Sequence, residues 1–434
     1  MKSFLIITFG CKVNTYETEA IKEELIQGGY VVAKSIDKAD LVIFNTCSVT
    51  RVSEKKCLTK IRSIANNYPN KICACFGCFS QLHPEEIAEI DCVKVIIGNR
   101  YKDKFVDYIN NYYLNGERTI NVKTNLRQSI YENLNIDRFG SEIRAFVKIQ
   151  DGCDNFCSYC VIPLTRGKSC SRNKQDILDE ISRLASNGYR EIVLSGVDMG
   201  SYENGENYHL AELIEDILKV EPSTFRLRIS SLEASQINDK IIAIYKNNHR
   251  LVPHLHIPLQ SGNEHILELM GRKYDLNSFY DLTLKLKEEI SHLALSTDVI
   301  VGFPSETDEE FNSTCEFVKK VGFMRVHVFP YSARPFTAAA KMKNQVSRMC
   351  AKKRVMILNE LGHELGREFK SHYIGQNVQV LIEEELSQIN GSRAFRGYSE
   401  NYIDLTILSK ENLLGKLVEV KVCNEDVISE YSII

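Results

Sequence analysis

The segment Ala145-Phe146-Val147-Lys148-Ile149-Gln150-Asp151-Gly152-Cys153-Asp154-Asn155-Phe156-Cys157-Ser158-Tyr159-Cys160 decides how the rest of this chain is read. Residues 145–150 form a short, largely apolar run of strand length that leads straight into three closely spaced cysteines. Cys153, Cys157 and Cys160 stand four and three positions apart, so each thiolate can reach one iron of a cubane cluster. Three local thiolates leave one iron of a [4Fe–4S] cluster without a protein ligand, and an open iron is a place for chemistry. Structural zinc is the competing assignment. Zinc sites pair two short Cys or His knuckles, and the sequence has no second knuckle nearby.

Downstream the strand rhythm continues at 191–197, 226–230, 254–260, 295–303 and 324–331. Helical stretches separate these runs at 174–187, 210–220, 234–247, 263–270 with 276–289, and 308–321. Six strands joined by helices predict a parallel (β/α)6 partial barrel over 143–370, with its chemistry at the carboxyl ends of the strands. The candidate contacts at those ends are Ser195 and Gly196, Ser230 and Glu233, and Gln260. Each is weak alone, because Gly, Pro and Ser are ordinary loop residues. His254, His256 and His327 read as satisfied core histidines.

Upstream, residues 1–115 alternate strand and helix. Apolar runs at 4–9, 41–44, 72–76 and 93–97 predict an open parallel α/β sheet. Cys11, Cys47 and Cys78 follow the carboxyl ends of three of these strands, where the ligand crevice of such a sheet lies. Free cysteine also packs as a small hydrophobe, so spacing alone leaves open whether the three converge. Cys73 and Cys75 lie inside a strand and read as core. Residues 116–142 are polar, weakly periodic and read as a linker.

The chain turns basic between Arg334 and Lys370, with nine basic side chains against three acidic ones and a local net charge of +6. Arg334, Lys352, Lys353 and Arg354 are the phosphate-binding candidates of this stretch. Residues 372–434 change character to short strands split by polar turns, a small all-β domain separable from the chemistry. There Arg393, Phe395, Arg396 and Tyr398 interleave cations with aromatic rings, a pattern suited to stacking on bases and neutralising phosphates.

The composition agrees with a multidomain globular chain. It has 434 residues, 44% of them hydrophobic and 26% charged, and no apolar run of membrane-spanning length. The net charge of −3 gives no general attraction to nucleic acid, so any such binding must be local. Fourteen cysteines, single or in short sets, suit a reducing compartment with metal chemistry rather than a disulfide scaffold. The opening Met1–Cys11 reads as a buried first strand rather than a lipoprotein signal, and a cytoplasmic location is expected.

The spacing of Cys153, Cys157 and Cys160, with Tyr159 at the aromatic position, resembles the radical S-adenosylmethionine (SAM) enzymes. The whole chain resembles the radical SAM methylthiotransferases. Thr8-Phe9-Gly10-Cys11-Lys12-Val13-Asn14 and Tyr16-Glu17-Thr18-Glu19-Ala20 look like the branch acting on threonylcarbamoyladenosine in tRNA. Phe44-Asn45-Thr46-Cys47-Ser48-Val49-Thr50 and Gly77-Cys78-Phe79-Ser80-Gln81 match as well. Lys168-Ser169-Cys170 and Phe336 depart from the family's usual pattern, and neither touches a cluster ligand.

The resemblance implies an N-terminal methylthiotransferase domain, a radical SAM barrel and a C-terminal TRAM domain. It implies two [4Fe–4S] clusters, one on Cys153, Cys157 and Cys160 and one on Cys11, Cys47 and Cys78. SAM would bind the open iron of the first, with Tyr159 beside its adenine and Ser195, Gly196, Ser230, Glu233 and Gln260 as further contacts. A first SAM would methylate the sulfur by polar transfer, and reductive cleavage of a second SAM would provide the radical that places the methylthio group at adenine carbon 2. The implied partners are the tRNA anticodon stem-loop and an electron donor such as flavodoxin or ferredoxin, with the enzyme acting as a monomer. The alternatives are isopentenyladenosine or a ribosomal protein as substrate, or a non-catalytic iron–sulfur RNA-binding protein.

Overall fold

The computed structural model describes residues 2–126, 131–138, 140, 143–389, 391–423 and 427–434. The apolar runs of the first part become strands β1 (Ser3–Thr8), β2 (Val31–Val32), β3 (Leu41–Thr46), β4 (Ile72–Gly77), β5 (Val93–Ile97) and β6 (Thr119–Asn121). They form one parallel sheet in the order β2-β1-β3-β4-β5-β6. The two edge strands, of two and three residues, are too short to stand out in the sequence. Helices α1 (Lys12–Gln27), α2 (Arg51–Asn67), α3 (Cys78–Leu82), α4 (Pro84–Ala88) and α5 (Phe105–Asn115) make the connections. β3 is buried at all six positions, as a strand covered on both faces must be.

The described residues of the segment read as a linker are packed. Leu126, Leu134 and Ile136 are buried, and Asn133 and Asn135 accept hydrogen bonds from Arg172.

The central part opens with β7 (Ala145–Lys148) and the small hairpin of β8 (Gln150–Asp151) and β9 (Cys170–Ser171), joined through α6 (Ile162–Thr165). It continues through α7 (Lys174–Ser186), β10 (Glu191–Ser195), α8 (Leu210–Ile217), β11 (Arg226–Ile229), α9 (Asp239–Asn247) and β12 (His254–His256). Then follow α10 (Glu264–Met270), α11 (Leu276–Glu289), β13 (Ala294–Val301), α12 (Asp308–Val321) and β14 (Arg325–Pro330). Two parallel three-stranded sheets result, β7-β10-β11 and β12-β13-β14. The Leu227 carbonyl accepts from Val252 N, and Leu227 N donates to the Arg250 carbonyl, so the sheets meet in chain order as a partial barrel. The end of α12 is set by its caps: Thr307 and Glu310 form a capping box, and Gly322 adopts the left-handed conformation.

Helix α13 (Arg348–Ser371) packs against β14, close enough that a Cβ on Gly362 would lie 3.2 Å from Val326 Cβ. The C-terminal part contains β15 (Asn377–Glu385), β16 (Arg393–Ser399), β17 (Asp404–Ser409), β18 (Leu417–Lys421), β19 (Val427–Ile428) and β20 (Tyr431–Ile433). These form a curled, mostly antiparallel sheet ordered β19-β17-β16-β15-β18-β20 around its own apolar core. This part is not a detached appendage. Arg226 and Arg228 of β11 donate to the carbonyls of Gln379, Tyr398, Ser399 and Glu400, and Glu191 holds both guanidiniums. No helix among the described residues is long and apolar enough to cross a membrane.

Candidate metal centre

In the N-terminal sheet the strand order reverses between β1 and β3, and the crevice of such a sheet opens at that switch point. Cys11 leaves β1 there, Cys47 leaves β3, and Cys78 leaves the neighbouring β4. The three sulfurs lie in one another's electrostatic field. Asn14 and Asn45 lock the crevice. Asn14 Nδ2 donates to Asn45 Oδ1 at 2.9 Å and to the Phe9 and Thr46 carbonyls, and Asn45 Nδ2 returns a bond to the Asn14 carbonyl. Val49 N donates to Cys47 Sγ at 3.5 Å, and Asn99 Nδ2 to Cys78 Sγ at 3.4 Å. Gly77 has φ +104°, and a Cβ there would lie 2.6 Å from the Thr46 carbonyl oxygen, so the approach to Cys78 requires glycine.

The second set is held as tightly. Gly152 has φ +73°, and a Cβ on it would sit 2.0 Å from the Lys168 carbonyl oxygen. Cys153 N donates to the Gly167 carbonyl, and Asn155 N donates to Cys153 Sγ at 3.4 Å. Arg272 reaches Cys157 Sγ at 3.4 Å and pairs with Glu233. Donors aimed at sulfur are the interactions that orient and tune thiolate ligands of iron–sulfur clusters.

Burial pushes the Cys47 and Cys153 thiols up to about 12 and Cys160 up to about 11. At neutral pH such thiols stay protonated unless a metal takes the proton's place. Three thiols with N–H donors aimed at sulfur are the donor set of an iron–sulfur cluster, and each triad supplies it.

The two triads are physically joined. Asn99 Nδ2 also donates to the Thr165 carbonyl at the end of α6, the helix that follows Cys160. Next to it lies a buried ionic network. Arg166 donates to Glu17, Asp151 and Asn14, while Lys148 pairs with Glu17 and Asp151, and Lys102 with Glu17 and Glu132. Burial alone would raise the Glu17 carboxyl, but Arg166, Lys102 and Lys148 hold it well below the usual range.

At the barrel's strand ends, Tyr159 lies edge-on to Phe303 with ring centroids 6.4 Å apart. Glu233 faces the cluster loop through Arg272, and Ser230 Oγ points to Met199 Sδ. Gln260 takes φ +63° and pairs with Val299 through its backbone. Ser195 is a correction: its hydroxyl is buried in the sheet and donates to the Val147 carbonyl, leaving the half-buried Gly196 just past that strand. Two contributors went unread in the sequence. Gln150 Oε1 accepts from Val197 N and Asp198 N, and Asp198 Oδ2 lies 3.6 Å from Cys153 Sγ. The signal was a polar residue closing an apolar run in each case, Gln150 after the run from 145 and Asp198 after the run from 191.

Three of the RNA-contact expectations are overturned. Arg334 is buried and paired with Glu54 of α2. Arg354 is buried and held by Glu306 and Asp308, a helix-to-loop clasp. Phe395 is a wholly buried core residue of β16, because the strand period turns every second side chain inward. Arg393 and Arg396 remain at the surface but pair with Glu385 and Asp404. Tyr398 faces Arg144, Arg325 and Tyr402. Lys352 and Lys353 are exposed on α13.

Two family descriptions match the chain: Radical SAM superfamily over residues 147–318, and Uncharacterized protein family UPF0004 over residues 3–98. A threonylcarbamoyladenosine tRNA methylthiotransferase MtaB of Bacillus subtilis is 38% identical, covering 96% of this chain and 92% of the relative. The protein of that name from Thermotoga maritima is also 38% identical, covering 97% and 94%. A tRNA-2-methylthio-N(6)-dimethylallyladenosine synthase of Bacillus subtilis is 34% identical, covering 97% and 83%. Among solved structures, the radical SAM methyltransferase TsrM from Kitasatospora setae, with cobalamin and a [4Fe–4S] cluster bound, superposes with a TM-score of 0.56. It is 14% identical and covers 78% of this chain and 77% of that one, a likeness of fold.

Proposed function

The chain belongs to the radical SAM tRNA methylthiotransferases, and from that premise we propose that it adds a methylthio group to carbon 2 of N6-threonylcarbamoyladenosine beside the tRNA anticodon. The observation that carries the substrate is the near full-length match, at 38% identity, to relatives bearing that activity in their names.

Cys153, Cys157 and Cys160 would hold one [4Fe–4S] cluster, and Cys11, Cys47 and Cys78 the other. With SAM bound, this pair supplies the radical chemistry and the sulfur that an adenine C–H bond, lacking an acidic proton or leaving group, demands. The protein's part is placement. Arg272 and Asn99 orient one sulfur in each triad. The buried Glu17–Arg166–Asp151 network ties α1 of the N-terminal part to β8 and to the residue after α6, on either side of the 153–160 loop. Tyr159, Gly196, Ser230, Glu233 and Gln260 would border SAM. Lys352 and Lys353 would meet tRNA phosphates near the anticodon stem-loop. Electrons would come from a flavodoxin or ferredoxin, and the enzyme would act as a cytoplasmic monomer.

Mass spectrometry of tRNA nucleosides from cells with and without this protein tests the reading. The 2-methylthio derivative of threonylcarbamoyladenosine should vanish with the gene. Loss of the dimethylallyl derivative instead would overturn the substrate.

A further inference from the structure

A closed parallel barrel fills its interior with branched apolar side chains. Here the amino-proximal part of the lumen is charged, and most of that charge is matched. Glu191 is shared by Arg226 and Arg228, and Arg144 is met by Glu383 and the Tyr402 hydroxyl. Two cations beside them make no direct ion pair among the described residues.

The Arg325 guanidinium, on β14, makes no ion pair or hydrogen bond among the described residues and rests 5.8 Å from the centre of the Tyr402 ring. The Lys12 ammonium also has neither kind of partner among the described residues; it lies in the near field of Tyr402, Arg144, Arg228 and Glu191, and that carboxylate is already bound by Arg226 and Arg228. Lys12 of α1 and Arg325 of β14 both act on His254 and on His327, so the two cations lie on the same pair of histidines. A cavity of about 720 Å³ is lined by Arg325, His327 and Tyr402 of this cluster.

Lys12 directly follows Cys11, so its backbone is anchored where the N-terminal triad gives way to α1. An apolar substituent beside these two side chains would leave both cations desolvated and unpaired, whereas a carboxylate would satisfy both. We infer that Lys12 and Arg325 bind the carboxylate of the threonylcarbamoyl group and make the enzyme select an anionic over an apolar N6 substituent. This rests on the substrate proposed above and names the residues that read it.

The test uses the full chain with reconstituted clusters and an anticodon stem-loop RNA. The RNA carries threonylcarbamoyladenosine, its carboxyl methyl ester, or N6-dimethylallyladenosine. Affinity and methylthiolation are measured for the wild type and for Lys12→Gln, Lys12→Arg and Arg325→Gln, with melting temperature and iron content alongside. The wild type should prefer the free acid. Each Gln variant should lose about ten-fold to about a hundred-fold of affinity for the acid and little for the ester, the loss of one charge-assisted contact. Lys12→Arg should restore the preference. Arg325 is remote from the cysteines in sequence, so Arg325→Gln carries the test should Lys12→Gln lose iron. Folded Gln variants that keep the wild-type preference for acid over ester would overturn this inference alone. A wild type that ignores threonylcarbamoyladenosine and modifies the dimethylallyl RNA would overturn the proposed substrate and this inference with it.

Discussion

Arg334, in the loop after the last barrel strand, forms a buried bidentate ion pair with Glu54 of α2, 280 residues earlier in the chain. Arg51 N adds a bond to Ser332 Oγ at 3.1 Å, so this loop clasps the helix that begins just after Cys47. Removing one partner of such a pair strands a buried charge. Arg334→Ala should lower unfolding stability by about 3–5 kcal/mol, while Glu54 and Arg334 replaced together by Leu and Met should recover much of it. Denaturant titration checks both. The single variant should leave the salt slope of tRNA binding unchanged, since this arginine faces no solvent.

Iron analysis addresses the two triads. The reconstituted chain should hold about eight irons, and Ala at Cys153, Cys157 and Cys160 should leave about four. Ala at Cys11, Cys47 and Cys78 should leave about four as well and keep uncoupled SAM cleavage. Full iron in that second variant would remove the N-terminal triad from the site. Cys75→Ala, on the buried face of β4, should keep every iron and cost about 1 kcal/mol of packing.

The salt dependence of tRNA affinity separates free surface cations from paired ones. Lys352→Glu and Lys353→Glu should each reduce the slope of log affinity against log salt by about 1. Arg393 and Arg396 already face Glu385 and Asp404, so reversing them should change the slope less. The opposite ranking would move the RNA contact onto β16.

Glu24 of α1 offers a pH test. Burial, reinforced by Asp107 and Asp103, raises its carboxyl to about 7. In the unfolded chain the group titrates near the ordinary glutamate value of about 4.3. The folded state therefore binds the proton more tightly, and stability falls as pH rises from about 4.3 to about 7. Glu24→Gln should raise the melting temperature at pH 8 and leave it nearly unchanged at pH 4. Equal effects at both pH values would mean that the carboxyl is not perturbed.

The sequence alone carried the local features. The alternation of apolar runs and helices marked both parallel sheets, because strands covered on two faces must be continuously apolar. Glycines at 77 and 152 mark places where backbone approaches backbone too closely for a side chain. The three cysteines of the 153–160 loop could be read together because their spacing is itself short-range geometry.

What the sequence could not assign was the partner of each charge. Arg334, Arg354 and Phe395 sit in stretches that look basic or basic-aromatic, and each is withdrawn from solvent by a residue distant in the chain or by strand alternation. The convergence of Cys11, Cys47 and Cys78 needed the reversal of strand order between β1 and β3, a property of sheet topology rather than of any segment. That Lys12 and Arg325 make no direct ion pair among the described residues is a fact of three dimensions alone. Composition records how many charges a chain has, but which of them find a counter-ion is fixed when distant segments pack, since the interaction decays over a few ångströms of buried space.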